Sequence, residues 1–332
     1  MKILLLTLNE EKMTIRSHYI NWHKDLSKFS ELNIRERSIG ETTFWNWGKR
    51  MLKNPHNLRT VMRDKSSRML YPLIKIDDVN NKFDWVITDF SYAFFTEEWD
   101  KIKIPKAMIL EDCCDGLPHL QVKKAVDNKF DVLFCRYKRE FFKYQKEYAD
   151  KFADVKWLPH SVNTDMFKDY NLEKKYDVTM TGYHFPPIYY YRDMIFDVIE
   201  DKEYFTELKH KGYNKRNGGI YGDDYAKFLN QSKISITCGM IYNRPVMKFF
   251  EIPATRTLLM SNYFPELNEL GFKDGENMIA IRDIEKVDKQ IRDVLNDDDM
   301  RKEITDNGYD FIRKNHSGEV RAKQFIEQLE NY

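Results

Sequence analysis

The sequence predicts an α/β fold in which two domains each hold a parallel sheet covered by helices. Short apolar runs alternate along the chain with segments whose apolar residues recur at helical spacing. The chain has 332 residues, enough for two domains that each bury a core. A polar stretch near residues 160–175 lacks a periodic apolar face and separates the two series of runs. Two α/β units in series are the simplest interpretation.

Five apolar runs in the first half are candidate strands. The first, KILLLTL, is too short for a membrane span, and acidic residues follow it without a small-residue cleavage site. It therefore indicates a buried strand and not a signal sequence. The predicted strands are 2–8, 84–90, 106–112, 131–137 and 155–161. A helical pattern follows at 138–148.

The second half repeats the alternation. Its predicted strands are 176–182, 205–212, 234–239, 257–262 and 277–283. Helical patterns lie between them at 189–200, 221–231 and 284–296. The chain ends in SGEVRAKQFIEQLENY, which predicts a helix with Ser317 as its N-cap.

Composition excludes several classes of function. The net charge of +1 gives no global field toward nucleic acid or membrane. The segment after the first strand, TLNEEKMT, lacks the G-x-G-x-x-G pattern of dinucleotide-binding folds, which disfavours an oxidoreductase. The four cysteines form no C-x-x-C pair, so we expect a reducing, cytoplasmic compartment.

One segment departs from the even mixing of charge. Residues 42–75 contain eight Lys or Arg residues against a single acid, Asp64, and begin near Trp45 and Trp47. Two interpretations stay open. The segment is either a solvated basic helix or a surface for an anionic acceptor or membrane headgroups.

A single acid, Glu251, lies in the largely apolar stretch RPVMKFFEIPATRTLLMSN (244–262). Pro245 suits the first turn of a helix, and on such a helix Lys248 and Glu251 share one face. The helix start and Lys248 would favour a phosphate, and Glu251 would accept hydrogen bonds from a ribose diol. The competing interpretation is a simple ion pair on the helix surface.

The same stretch, with the sequence that follows it to RKEITDNGYDFIRKNHSGEVRAKQF, resembles the C-terminal half of the CgeB/YkvP-type glycosyltransferases. Further similarity lies in WLPHSVNTDMF, YDVTMTGYHFPPIYYYR and YGDDYAKFLNQSKISITCG, so that the resemblance covers roughly 155–325. It implies a retaining GT-B enzyme with two Rossmann-like domains facing a cleft. The first half is similar only in layout and in LEDCCDGLPH (110–119).

The resemblance implies roles for particular residues. Glu251 takes the place of the glutamate that holds the nucleotide ribose, and Lys248 and Arg192 stand where basic residues face the diphosphate. The implied nucleotide-sugar-binding set is Gly182, Arg192, Asn243, Lys248, Glu251 and Thr255. Two positions depart from the family pattern.

Asn243 stands where related enzymes carry the first acid of an E-x7-E pattern, and Arg256 stands where a glycine is common. An asparagine can still hydrogen-bond a sugar hydroxyl but supplies no negative charge. These departures affect the donor sugar and the loop geometry.

The acceptor side is predicted in EDCCDGLPH, where Asp112, Asp115 and His119 are the candidate catalytic residues. A turn at Asp115-Gly116 followed by a helix start explains the same residues without chemistry. The acids of NDDDM (296–300) suggest metal ligands, but helix capping is the better explanation. We therefore expect no metal and no resident cofactor.

Together these features predict a cytoplasmic, metal-independent glycosyltransferase without a transmembrane segment. It would move a sugar from a nucleotide diphosphate sugar, a UDP-sugar first of all, to a hydroxyl-bearing acceptor. That acceptor would be a surface glycan, a protein or a modified nucleobase, and an anionic one if segment 42–75 binds it. The alternative is a catalytically silent nucleotide-sugar-binding or assembly subunit. The predicted domains are an acceptor-side domain (1–160), a nucleotide-sugar domain (161–316) and a C-terminal helix (317–332) that packs back on the first domain.

Overall fold

The structure, a computed structural model, describes residues 1–8, 17–37, 76–89, 99–114, 117–209 and 219–332. Its contacts divide the chain into two compact units. The first contains Met1–Pro159 and Ala322–Tyr332, and the second contains His160–Arg321. Each unit has a parallel sheet with helices packed against it, which confirms the predicted α/β fold.

The described part of the first unit forms a parallel sheet in the order β2-β1-β3-β4-β5-β6. Its strands are β1 Lys2–Leu8, β2 Glu31–Arg37, β3 Trp85–Thr88, β4 Lys106–Leu110, β5 Val132–Cys135 and β6 Asp154–Trp157. Its helices are α1 Ser17–Leu26, α2 Ile76–Lys82, α3 Leu117–Asp127 and α4 Lys138–Tyr144, with 3-10 turns at Trp99–Lys101 and Lys146–Lys151.

Side chains of this sheet alternate between two cores, as strand geometry requires. From β1, Ile3 and Leu5 enter the core that also contains Trp22 of α1 and Phe325. Leu4 and Leu6 enter the opposite core. We call the first of these the α1 face of the sheet.

The sequence did not predict β2, because charged residues occupy four of the seven positions of ELNIRER and leave only Leu32 and Ile34 as apolar residues. The strand forms at the edge of the sheet, where β1 is its partner. Glu31 and Arg35 are exposed there. An edge strand of this kind is defined by its backbone pairing, which composition does not reveal.

The second unit holds the parallel sheet β11-β10-β9-β7-β8. Its strands are β7 Tyr176–Gly182, β8 Phe205–Lys209, β9 Ser232–Thr237, β10 Leu258–Asn262 and β11 Ile279–Ile281. Its helices are α5 Pro186–Ile199, α6 Asp223–Asn230, α7 Lys248–Ala254, α8 Pro265–Glu269, α9 Val287–Asn296 and α10 Asp298–Asn315, with a 3-10 turn at Ile284–Lys286. None of the helices described in either unit combines the length and apolar character needed to cross a bilayer.

The last helix, α11 Gly318–Glu330, starts in the second unit and ends in the first. Phe325, Ile326 and Leu329 lie in the core on the α1 face. As predicted, the Ser317 hydroxyl caps this helix by accepting the Val320 N–H at 3.3 Å.

Each sheet has a switch point, where successive strands are added first on one side of a central strand and then on its other side. In the first sheet β2 lies on one side of β1 and β3 on the other, and in the second sheet β8 and β9 flank β7 in the same way. In open α/β sheets, ligands bind outside the carboxyl ends of the strands at such switch points. The ends of β1 and β3, and those of β7 and β9, are therefore where a site is expected.

One acid of NDDDM, Asp297, serves as a helix cap, as predicted. The Asp297 carboxylate accepts the Met300 N–H at 2.9 Å and so satisfies one of the free donors at the start of α10.

Replacing Asp297 with Ala should lower the free energy of unfolding by about 1 kcal/mol, because the Met300 N–H loses its acceptor. Urea denaturation measures this change. Asp299→Ala is the matched control, since Asp299 lies in the first turn of the same helix but is not its cap. Equal losses for the two variants would contradict the capping role.

Candidate functional site

The candidate site begins at Gly182, the last residue of β7, which has φ +135°. A Cβ atom at this position would lie 2.7 Å from the Arg192 guanidinium and 2.8 Å from Lys248 Nζ. Only glycine combines this backbone angle with such close approach. The end of β7 thus brings two cations together.

Both cations donate to the backbone on either side of Gly182. Lys248 Nζ donates to the carbonyl of Thr181 at 2.7 Å, and Arg192 Nη1 donates to the carbonyl of Tyr183 at 2.8 Å. The Arg192 guanidinium also lies 4.3 Å from the centre of the Tyr189 ring. These contacts fix two like charges side by side at a strand end.

The two charges have no direct counter-ion in the described part of the chain, where neither cation forms an ion pair. Arg192 is only 3% exposed, and its buried Nε has no hydrogen-bond partner. Burial, followed by the positive charge of Arg192, lowers the pKa of Lys248 to about 7. Two adjacent buried cations are costly unless an anion pairs with them or the lysine loses its proton.

Glu251 lies one helical turn after Lys248 and is 9% exposed. Burial raises the pKa of its carboxyl to about 7, and Lys248 partly offsets this rise. Among the described residues its carboxylate accepts no hydrogen bond and forms no ion pair. The interpretation as a plain helical ion pair is therefore wrong for the structure described, and the carboxylate has free acceptor capacity.

The helix that carries these residues starts later than predicted. It begins at Lys248 and not near Pro245, and it spans seven residues with Pro253 inside it. Lys248 is therefore the first helical residue instead of lying one turn in. The start is shifted because Asn243, with φ +52°, turns the chain, and the Arg244 N–H bonds the carbonyl of Gly239.

Tyr225 of α6 completes the polar surroundings. No sequence motif indicated it, apart from its place in a segment that resembles the family. Its hydroxyl lies 3.1 Å from the Thr181 hydroxyl. Burial and the charge of Glu251 raise its pKa, so it stays a neutral phenol. At the end of the neighbouring strand β9, the buried Thr237 hydroxyl has no partner within the ranges that the structure describes. The site therefore extends from β7 to β9, across the switch point.

Asn243 and Thr255, two other predicted binding residues, have different surroundings. Asn243 is exposed, and its side-chain oxygen accepts from Asn262 Nδ2 at 3.3 Å. Thr255 is fully buried and donates its hydroxyl to the carbonyl of Ile252 at 2.8 Å, so it stabilises the end of α7.

Arg256 has φ +52°, the left-handed conformation that explains why glycine suits this place. Its guanidinium forms ion pairs with Asp169 and Asp306 at 3.1 and 2.9 Å. These contacts hold an arginine in a backbone conformation that side chains rarely adopt.

Of the three acceptor-side candidates, the structure describes Asp112 and His119. Asp112 is exposed after β4. His119 is engaged by Tyr148, whose hydroxyl lies 3.1 Å from Nε2, and by Glu147 at 3.6 Å from Nδ1. Asp115 and the basic segment 42–75 lie outside the described residues.

Known structures share this architecture at low sequence identity. HepE from Anabaena in complex with UDP superposes with a TM-score of 0.64 at 10% identity, covering 100% of both chains. A sucrose-phosphate synthase from Thermosynechococcus elongatus gives 0.64 at 8% identity, covering 100% of this chain and 99% of the other. A glycosyltransferase from Rickettsia africae gives 0.62 at 13% identity, covering 99% and 98%.

At the level of sequence, no curated protein gives a significant match. Residues 172–327 match the family model described as glycosyl transferase-like, and this range contains the cation pair, Tyr225 and Glu251. The chain therefore carries a glycosyl transferase-like domain at residues 172–327, on a fold of the GT-B type.

Proposed function

We propose that the protein is a glycosyltransferase that moves a sugar from a nucleotide diphosphate sugar to a hydroxyl group of an acceptor. One observation carries the proposal. Two buried cations, Arg192 and Lys248, meet at Gly182 without a counter-ion in the described structure, and an acid with free acceptor capacity lies one turn along α7. A diphosphate next to a ribose has the complementary chemistry.

Each residue then has a defined task. The sugar leaves the donor when the bond between its anomeric carbon and the diphosphate oxygen breaks, and the electron pair stays on the diphosphate. Arg192 and Lys248 stabilise the negative charge that develops there. Glu251 accepts hydrogen bonds from the two ribose hydroxyls and so places the nucleotide.

The nucleotide is proposed to be UDP. HepE, which shares the fold at low identity, is described in complex with UDP, with UDP and glucose, and with UDP-glucose. Retention of the anomeric configuration, a cytoplasmic location and the CgeB/YkvP type rest on the sequence resemblance and on composition. The acceptor class, whether a glycan, a protein or a modified nucleobase, is left open by the residues of this site.

The reaction is proposed to need no metal ion, because the two cations supply positive charge where the diphosphate leaves. The alternative of a silent nucleotide-sugar binder rests on Asn243, which lacks the negative charge that related enzymes place there. Donor breakdown separates the two functions, since transferases leak slowly to water.

The proposed function predicts that UDP-sugars raise the melting temperature in a thermal-shift screen of nucleotide sugars. The stabilising donor should then release UDP slowly without acceptor, and EDTA should leave this rate unchanged. A coupled UDP-release assay measures it. Binding without any release would favour the silent binder, and release only with added Mg²⁺ or Mn²⁺ would contradict the metal-free reaction.

The assigned roles predict different losses for three ligands. Glu251→Gln should weaken the binding of UDP and of uridine by about tenfold or more but leave the binding of pyrophosphate unchanged. Arg192→Gln should weaken the binding of UDP and of pyrophosphate but not that of uridine. Competition titrations measure these affinities.

Glu251→Gln should also fold normally above pH 7. The folded-state pKa of Glu251 is raised from 4.5 to about 7, so its contribution to stability falls as pH rises through that window. Replacing the charged carboxylate with a neutral amide therefore does not lower the free energy of unfolding above about pH 7. Unfolding of Glu251→Gln above pH 7, or equal losses for all three ligands, would refute the ribose role.

Affinity for UDP should depend on pH through Lys248. Its pKa is about 7 in the free protein, and a bound diphosphate raises it, so binding takes up a proton above pH 7. Affinity should fall between about pH 7 and about pH 9, by at most about tenfold per pH unit. Titration calorimetry in buffers of different ionisation enthalpy counts the protons.

Lys248→Arg is the matched control, because arginine stays charged over this range. Its UDP affinity should be independent of pH between about pH 7 and about pH 9, with no proton uptake. A pH dependence that survives in Lys248→Arg would assign the titration to another group.

A further inference from the structure

A second group of unsatisfied polar atoms lies at the switch point of the first sheet. Thr7 is the last but one residue of β1, and Asp89 follows β3 directly. The two strands pair in parallel with Leu6 opposite Thr88, so these ends meet. Thr7 and Asp89 are both fully buried, and Thr7 Oγ1 and Asp89 Oδ1 have no hydrogen-bond partner among the residues that the structure describes.

Strand alternation places this group on one face. Ile3 and Leu5 lie on the α1 face, so Thr7 faces that side too. Ile87 lies on the same face, and so does Asp89, two residues later. Thr88 points to the opposite core, like Val86.

Helix α1 supplies the rest of the group. His23 Nε2 lies 3.1 Å from Asp89 Oδ2, and both side chains are buried. The neighbouring Trp22 is 4% exposed, and its indole N–H has no partner in the described part of the chain. Arg136 lies over the Trp22 ring at 5.6 Å, but its guanidinium is paired with Glu111 at 3.1 Å. The charge of Arg136 is therefore already compensated.

The unsatisfied atoms describe the ligand that would fit them. Trp22 offers an N–H donor, Asp89 offers a carboxylate acceptor, and Thr7 can do either. Buried polar groups without partners are destabilising, and several at one switch point indicate a ligand that pairs with them. The Asp89 carboxylate disfavours an anion. A neutral compound with several hydroxyl groups, which both donate and accept, is complementary.

We propose that Thr7, Trp22 and the His23–Asp89 pair form a binding site for a neutral polyhydroxylated ligand, a sugar unit of the acceptor. The acceptor role rests on the proposed glycosyltransferase function, whereas the binding of a hydroxylated ligand does not. His23 is a positioning residue that holds Asp89, and Asp89 Oδ1 and Thr7 Oγ1 contact the hydroxyls. The acceptor-side roles of Asp112, Asp115 and His119 stay predictions from the sequence.

The test uses the full chain labelled with 5-fluorotryptophan and observed by ¹⁹F NMR. Trp22→Phe identifies the Trp22 resonance. The probes are glycerol, glucose and N-acetylglucosamine. At least one probe should shift the Trp22 resonance in a saturable way, and Asp89→Asn should abolish the shift. If none of the three probes moves the resonance, the proposal is overturned.

Thr7→Val and Thr88→Val form a matched pair. Both threonines are fully buried at strand ends with an unpartnered hydroxyl, but they face opposite sides of the sheet. Since neither hydroxyl has a partner, neither change should unfold the protein. Thr7→Val should weaken probe binding by about tenfold, the effect of one hydrogen bond, and Thr88→Val should leave it unchanged. Equal effects would overturn the assignment.

UDP titration of the same samples keeps the two proposals separate. UDP affinity should be the same in wild type, Thr7→Val and Thr88→Val. A Trp22 shift with the probes but no UDP binding would refute the donor function and leave this site standing. UDP binding without a Trp22 response to the probes would refute this site and leave the donor function standing.

Discussion

The contact between two cations and Gly182 is the constraint on which the candidate donor site depends. The strand ends at a glycine with φ +135°, and this opens the space that the Arg192 guanidinium and the Lys248 ammonium occupy. Each cation is fixed by a backbone carbonyl of a residue next to that glycine. Two like charges held in this way raise the energy of the empty site, and a bound diphosphate removes the cost.

The placement of Lys248 and Glu251 depends on the core behind them. Helix α7 is short, but Phe249, Phe250 and Ile252 are completely buried. The Phe249 ring packs edge-on against Phe264 at 5.6 Å, and the Phe250 ring packs against Phe272 at 5.9 Å. Because these rings cannot rotate away, the helix presents its two charged residues in one fixed direction. The apolar residues around Glu251 thus anchor α7 in the core and hold Lys248 and Glu251 in position.

The sequence predicted the parts of the fold that hydrophobic burial decides. Strands β1 and β7 begin and end where predicted, and each of the other predicted strands overlaps an observed one. Buried strands can be predicted in this way because they are continuous runs of apolar residues. The charged edge strand β2 was missed, since it has only two apolar residues and its own sequence does not show its pairing with β1. The start of α7 was placed too early, because Pro245 suits a helix start but the turn at Asn243 delays it. The local sequence pattern does not show the turn at Asn243 or the hydrogen bond from the Arg244 N–H to the carbonyl of Gly239.

Within the site, the sequence indicated Lys248, Glu251, Arg192 and Gly182 but not how they meet. Lys248 and Glu251 share α7, whereas Gly182 and Arg192 belong to β7 and α5. The pairing of β7 with β9 brings the two pairs together, and no local pattern shows it. Tyr225 and the His23–Asp89 pair were missed for the same reason. His23 and Asp89 are 66 positions apart, and nothing in either local sequence indicates a buried polar contact.

The two switch points use one architecture with opposite electrostatics. At β7 and β9 the unsatisfied groups are cations, and the described structure gives them no acid within ion-pair distance. At β1 and β3 the central unsatisfied group is a carboxylate oxygen, and the nearby Arg136 is already neutralised by Glu111. A phosphate is therefore attracted to the first and repelled by the second, while a neutral sugar loses nothing at either. Under the two proposals, selectivity between an anionic donor and a neutral acceptor follows from the sign of the buried charge at each strand end.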